Sequence, residues 1–407
     1  MNKYFSLTDK VFDVTEKYPI LIEVFAANGF ENLRNENLRK MLGKTISVAD
    51  ALKMRKIDAA EFEKQMIAAI ENKNDDILNG LSRAETHISG ADVTMAGILP
   101  CPIRFQLLEK LDMWIRSNDK KVEYELQAAS MGLDWLMERV ENAKDESELA
   151  DIYLSAGYGF FFDREGLGKF REQGVFADLT DIEHFNKDFE NDYIDLRDPQ
   201  KRYNIIGVVP AIFMVNTQLL GDRPIPRSWA DLLKPEYEGT MAIPMSDLDL
   251  FNAILLGIYK EYGNEGLAAL GRGVMKSLHP AQMVKDGGRK SIETPIISVM
   301  PYFFSFMSKE GGPMKPIWPE DGAIISPIFF ITKKSAANRI KPMVDFLFST
   351  EMGSVLSADG KFPSTHPLLD NGLSRDKKFI WPGWDFIYKH DIKQLLKDCE
   401  DTFYGRK

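Results

Sequence analysis

Cysteine is almost absent from this sequence of 407 residues: Cys101 and Cys399 are the only two, and they stand far apart. That excludes a disulfide framework and a Cys-rich metal site, and it fits a reducing compartment. Histidine is scarce too. His87, His184, His279, His366 and His390 show no metal-ligand or catalytic spacing. Positive charge is short: 51 Lys and Arg face 61 Asp and Glu, for a net charge of -10. Such a balance repels nucleic-acid backbone and anionic membrane unless basic residues cluster, and the densest stretch, Met275 to Ser291, is mixed with turn residues. No run reaches the roughly 18 apolar residues of a transmembrane helix. "GLGKF" and "GGRKS" lack the four-residue gap of a phosphate-binding loop. There is no internal repeat and no low-complexity run. The expectation is no cofactor, no bound metal, no nucleic acid and no transmembrane segment.

What is present is a chain 44% hydrophobic and long enough for two or three domains. Its first 25 residues carry Asp9, Lys10, Asp13, Glu16, Lys17 and Glu23, so they do not read as an export signal. A cytoplasmic location is expected, or a periplasmic or other extracytoplasmic one if the sequence is trimmed.

Residues 1–75 have a helical grammar. Thr15 can cap a short helix that stops at Asn28-Gly29, with Ile20, Leu21, Val24 and Phe25 on one face. Capping boxes follow at Ser47 with Asp50 and at Asp58 with Glu61, the second opening a helix whose Phe62, Met66 and Ile70 share a face. Three short helices in a small bundle are expected. Residues 76–90 lose periodicity and carry Gly80 and Gly90, which marks a linker.

From Ala91 the pattern becomes strand, helix, strand, helix. "ADVTMAGILPCPIRFQLLEKL" is a buried strand, a Pro-Cys-Pro turn and an amphipathic helix; "VEYELQA" alternates as a strand with one wet face or at an edge does; "ADIYLSAGYG" is a strand entering a glycine loop. This is a doubly wound α/β arrangement, in which ligands sit where strand carboxyl ends meet helix starts. "YNIIGVVPAIFMVN" and "GAIISPIFFITKKS" are unusually long apolar segments that bracket an inserted α/β unit. They predict two lobes joined by a paired crossover: 91–205 as lobe 1, 206–325 as an inserted lobe 2, and 326–407 as the return to lobe 1 with C-terminal helices.

"RSWADLLKPEYEGTMAIPMSD" and "FFITKKSAANRIKPMVDFLFSTEMGSVLSADGKFPST", in this order, resemble the type 2 solute-binding proteins of ABC transporters, in particular their iron(III)-binding branch. The resemblance covers roughly Ala91 to Leu373. It implies an α/β fold of two lobes closing on a small ligand about a hinge, without covalent chemistry, and an ABC permease as partner. "VTEKYPILIEVFAANGFENL" and "MLGKTISVADALKMRKIDAAEFEKQM" are similar to a small helical domain of unknown function that also precedes some hybrid-cluster-type and iron-cluster repair proteins. A cytosolic protein partner reached through that domain is the other expectation.

The residues expected at the ligand are Pro100, Cys101, Pro102 and Ile103 after the first strand, Ser155, Ala156, Gly157 and Tyr158 after the third, Met245, Ser246 and Asp247 in the second lobe, and Tyr302 with Phe303 opposite. Each has a plainer reading. Cys101 at a helix start could be a reactive thiol, a pocket-lining group or a buried one. Asp247 and Asp249 could hold a cation or an amine, but Ser246 or Asp247 reads first as an N-cap of "LDLFNAILLGIY". Tyr302, Phe303, Phe304 and Phe306 could wall a pocket or fill a core. Iron-binding relatives typically place two adjacent tyrosines where this chain has Tyr302-Phe303. The expected function is therefore capture of a small oxyanion or organic acid, with a cytosolic sensor or carrier as the leading variation. The alternatives are an exported iron(III) or metal transport component and a thiol-dependent enzyme using Cys101.

Overall fold

The computed structural model describes residues 4–27, 30, 33, 36–54, 59, 62, 63, 66, 67, 70, 88–128, 133–245, 248–277, 294–307, 311–358 and 362–406. The chain divides into two compact units, Met1–Ala84 and Glu85–Lys407.

In the first unit the described residues form the helices Val11–Lys17, Ile20–Ala27, Glu36–Gly43 and Val48–Met54; the first two stand where one helix was expected, and Glu36–Gly43 was not expected. The division of the first has a local cause. Pro19 biases Tyr18 out of the helical region (φ -132°, ψ 83°), so the first turns split into two helices. Thr15 is thus not a cap; it lies inside Val11–Lys17, fully buried, and its hydroxyl donates to Val11 O at 2.8 Å. Ser47 does cap as expected: its Oγ accepts the Asp50 N–H at 3.1 Å. The Asn28-Gly29 stop and the Asp58–Glu61 box lie outside the described residues. Phe62, Met66 and Ile70 all enter one core with Leu21, Val48 and Phe25, whose ring centroid is 5.1 Å from that of Phe62.

The second unit is built on one mixed sheet. Its strands are β1 (Val93–Leu99), β2 (Val122–Ala128), β3 (Ile152–Ala156), β4 (Phe176–Ala177), β5 (Asn204–Asn216), β6 (Met241–Ile243), β7 (Val274–Ser277), β8 (Ile297–Pro301), β9 (Met314–Ile317), β10 (Ala323–Lys333) and β11 (Phe379–Ile380). They run in the order β2-β1-β3-β10-β5-β8-β6-β7, with β4 and β11 also on β10 and β9 on β5. β1, β2 and β3 are parallel to one another, and so are β6, β7 and β8. Between these two halves lie the long strands β5 and β10, which pair antiparallel with each other. One edge of β10 continues to β3 and one edge of β5 continues to β8. This is the paired crossover expected from the two long apolar segments. Both strands are buried at every position, as strands covered on both faces must be.

Pro210 does not interrupt β5. Val208 donates its N–H to Pro363 O, and strand alternation gives Pro210 the same edge. Ladder pairing with β8 begins only at Ala211, so the missing N–H of Pro210 falls where the ladder has a gap. β2 is an edge strand, as its alternation allowed: Val122, Tyr124 and Leu126 are buried while Glu123, Glu125 and Gln127 are half-exposed.

Helices cover the sheet. Cys101–Asn118 follows β1, Asp134–Asn142 follows β2, and Leu248–Gly273 follows β6, broken at Gly263 (φ 63°, ψ -161°) into two legs. The tail forms Ala337–Leu347, Thr350–Ser357, Trp384–Lys389 and Ile392–Phe403. In the first half a buried carboxylate ties strands to helix: Asp151 takes both Arg339 guanidinium nitrogens at 2.8 Å and the Thr94 N–H at 2.9 Å. Trp384 ties the tail to the sheet unit, its Nε1 donating to Leu196 O at 3.0 Å and its ring lying 5.5 Å from that of Trp381.

Candidate ligand-binding site

Parallel strands bring their carboxyl ends to one edge, and the loops leaving those ends are where this topology places ligands. In the first half the register aligns Gly97 with Leu154, so Pro100 after β1 and Gly157 after β3 leave the same edge. In the second half Met241 aligns with Ile297, which does the same for Met245 after β6 and Tyr302 after β8.

Two of these loops touch across the halves. Gly157 has φ 92° and donates its N–H to Pro327 O at 3.1 Å on β10. A Cβ on Gly157 would fall 3.1 Å from Asp249 Cγ, and Asp249 lies in the first turn of Leu248–Gly273. Glycine at 157 therefore serves both the backbone angle and the approach of that carboxylate. The start of a long helix is a favourable place for a negative charge.

The other expected residues fall as follows. Pro100 is half-buried and precedes a helix start that has no side-chain cap; its carbonyl accepts the Ile103 and Arg104 N–H groups at 3.2 and 3.1 Å. Cys101 and Pro102 occupy the first helical positions, and their side chains lie outside the described residues. Ile103, Ser155, Ala156 and Tyr158 have buried side chains. Ser155 Oγ donates to its neighbour's carbonyl, Ala156 O, at 3.1 Å. Tyr158 packs against Phe329 at 5.7 Å between ring centroids; its hydroxyl finds no partner among the described residues, and burial pushes its phenol far above the usual range. Met245 is half-buried, while Ser246 and Asp247 lie outside the described residues.

Tyr302 and Phe303 point their rings to different company. Phe303 lies 4.3 Å from Phe304 and 5.3 Å from Phe362, next to the segment that bonds β5. Tyr302 meets Phe306 at 5.0 Å and Trp318 at 5.1 Å, both edge-on. The Lys377 ammonium stands 4.7 Å from the Trp318 centroid and 5.8 Å from that of Tyr302, a cation held over two ring faces. Phe306 is 57% exposed, so this cluster opens outward. Burial pushes the Tyr302 phenol up, which favours its protonated form. Trp318 and Lys377 were missed from sequence. Each stands in a turn-rich stretch with no periodic signal, and only the fold brings them to Tyr302.

These features define a two-lobed α/β fold whose halves approach each other at Gly157 and Asp249. A family model described as bacterial extracellular solute-binding protein matches residues 147–390, and the chain belongs to that family. Residues 5–62 match a domain of unknown function (DUF1858). Solved structures share the fold. The ferric binding protein from Campylobacter jejuni is 15% identical, with a TM-score of 0.55, covering 77% of this chain and 99% of its own. The periplasmic binding protein AfuA from Actinobacillus pleuropneumoniae, with exogenous fructose-6-phosphate bound, is 17% identical at a TM-score of 0.52, covering 77% and 99%. A Trichodesmium protein, IdiA (FutA), in complex with iron and citrate, is 13% identical at 0.52, again covering 77% and 99%. No curated protein matches this chain. Among the described residues, no helix is long and apolar enough to cross a membrane.

Proposed function

We propose that the second unit captures a small organic acid or a phosphorylated sugar between its two halves. The observation that carries this reading is the company of Tyr302: aromatic faces and the Lys377 ammonium, which suit a ligand with a carbon skeleton and an anionic end. Asp249, at the meeting point with Gly157, supplies an acceptor for ligand hydroxyls. Contacts made to both halves would favour the closed arrangement over an open one.

A second reading is an iron(III) complex of an organic acid. Tyr302 at the end of β8 favours it, since a phenolate is a hard oxygen donor. Against a bare ferric ion stands Phe303, which has no donor, and the half-buried Tyr302 phenol, whose burial favours the protonated form.

Native mass spectrometry of freshly purified protein, followed by thermal shifts with citrate, fructose 6-phosphate, inorganic phosphate and ferric citrate, decides between them. Stabilisation by the metal-free acids supports the first reading. Stabilisation by ferric citrate alone, with a visible phenolate charge-transfer band that Tyr302→Phe abolishes, replaces it with the second.

The family's extracellular description supports an exported component that hands its ligand to an ABC permease. The other placement is a cytosolic sensor or carrier whose first unit reports to a protein partner. Fractionation of native cells separates these placements.

A further inference from the structure

The last helix, Ile392–Phe403, is anchored on different halves at its two ends. At its carboxyl end the Phe403 ring lies 5.2 Å from that of Phe251, and the Phe403 carbonyl carbon is 3.0 Å from where a Cβ on Gly271 would stand. Phe251 and Gly271 belong to the two legs of Leu248–Gly273, so Phe403 seats between them, and only glycine fits at 271. Ile392, Leu396 and Cys399 continue the apolar stripe inward.

At its amino end the contacts are ionic and belong to the first half. Lys393 Nζ meets Asp163 Oδ2 at 2.7 Å and Glu141 Oε1 at 3.6 Å, while Arg164 Nε meets Asp391 Oδ2 at 3.4 Å. Asp163 follows β3 and the short helix Gly159–Phe162, and Glu141 lies on Asp134–Asn142. The Asp163 side chain is only 3% exposed, and its other oxygen accepts the Glu165 N–H at 3.0 Å. A buried carboxylate of this kind depends on its cation. Between the two anchors runs about 15 Å of regular helix.

We propose that Ile392–Phe403 is a strut between the two halves and that the Lys393–Asp163 ion pair is the latch that sets their angle. Its bearing on ligand affinity rests on the reading that the ligand is held between those halves. Lys393 is then a positioning residue: it touches no ligand, yet it determines how much of the protein is in the binding-competent arrangement.

The test uses the full chain with ketone-bearing residues introduced at positions 109 and 236, one on each half, for single-molecule energy transfer between attached dyes. Both positions are exposed. Lys393→Met is expected to lengthen and broaden the distance between halves, and Lys393→Arg to keep the native distance. Because Lys393→Met leaves Asp163 unpaired and lowers stability as well, the double variant Lys393→Met with Asp163→Asn is measured beside it. It should regain thermal stability while keeping the lengthened distance. If the double variant recovers stability and native distance together, or if Lys393→Met leaves the distance unchanged, the latch is disproved. In a separate arm, citrate and fructose 6-phosphate are expected to bind Lys393→Met about tenfold more weakly than wild type. Failure of wild type to bind either overturns the ligand reading and leaves the distance result standing.

Discussion

Asp249 occupies the ground that a side chain on Gly157 would need, with its Cγ 3.1 Å from the Cβ position. One residue ends a strand of the first half and the other begins a helix of the second. Gly157→Ala should therefore fail twice, on a backbone angle of φ 92° and on the displaced carboxylate. The angle alone costs on the order of 1–2 kcal/mol. The expected result is a lower urea midpoint at unchanged slope, part of which Asp249→Ala restores in the double variant. Additive losses in the cycle would show that the two residues do not oppose each other.

The Lys377 ammonium should matter to an anionic ligand and little to the fold, since it stands over ring faces that remain packed without it. Lys377→Ala is expected to weaken citrate or fructose 6-phosphate binding several-fold and to steepen no unfolding curve. Calorimetric titration at two salt concentrations checks this, because the lost term is also the one that salt screens.

Acid should unfold the second unit by way of Asp151. Burial alone would raise this carboxyl, but the Arg339 guanidinium, the Thr94 N–H and Lys333 outweigh it and hold the group below the usual carboxylate range. A folded value below the unfolded one means that the stabilisation is complete above about pH 4 and fades as pH falls through the folded value. Thermal unfolding between neutral pH and strong acid should show that loss. Asp151→Asn should flatten it, and at neutral pH should lower stability, because buried Lys333 loses its counter-ion and keeps only the Glu146 and Leu149 carbonyls.

Tyr158 carries a fully buried hydroxyl without a partner among the described residues. Replacing it by Phe removes a desolvated polar group and keeps the ring against Phe329, so Tyr158→Phe should stabilise the protein by about 1 kcal/mol. Chemical denaturation measures this. A loss of stability would show that the hydroxyl is bonded in solution.

Cys399 is buried and its thiol is pushed up to about 12, chiefly by burial. In a Cys101→Ser background, native protein should show no thiol reactive toward a disulfide reagent at about pH 8, and one after unfolding. A fast native reaction would mean that the last helix opens readily from Leu248–Gly273.

Local pattern was enough for much of the fold. The alternation of Val122–Ala128 identified a strand with a wet face or an edge position, the Ser47–Asp50 pair identified a helix start, and the length of the apolar segments at 203–216 and 322–335 identified the crossover. Where a local rule failed it was overruled by a neighbour: Pro19 turned Thr15 from a cap into a buried residue by dividing one helix into two. The site was legible only as a set of loops. Sequence offered Ser155, Ala156, Tyr158 and Ile103 as ligand contacts, and the structure shows their side chains buried in the interior.

The sequence by itself determined the longer strands and helices of the second unit, because burial period, proline and capping act over a few residues. It likewise carried the two-halved α/β plan, since only long apolar strands can cross between halves. Tertiary structure alone decided what meets what. Gly157 with Asp249, Lys377 with Tyr302 and Trp318, and Lys393 with Asp163 are pairings between residues distant along the chain. Contacts of that kind depend on register, twist and close packing summed over the whole sheet, which no local stretch encodes.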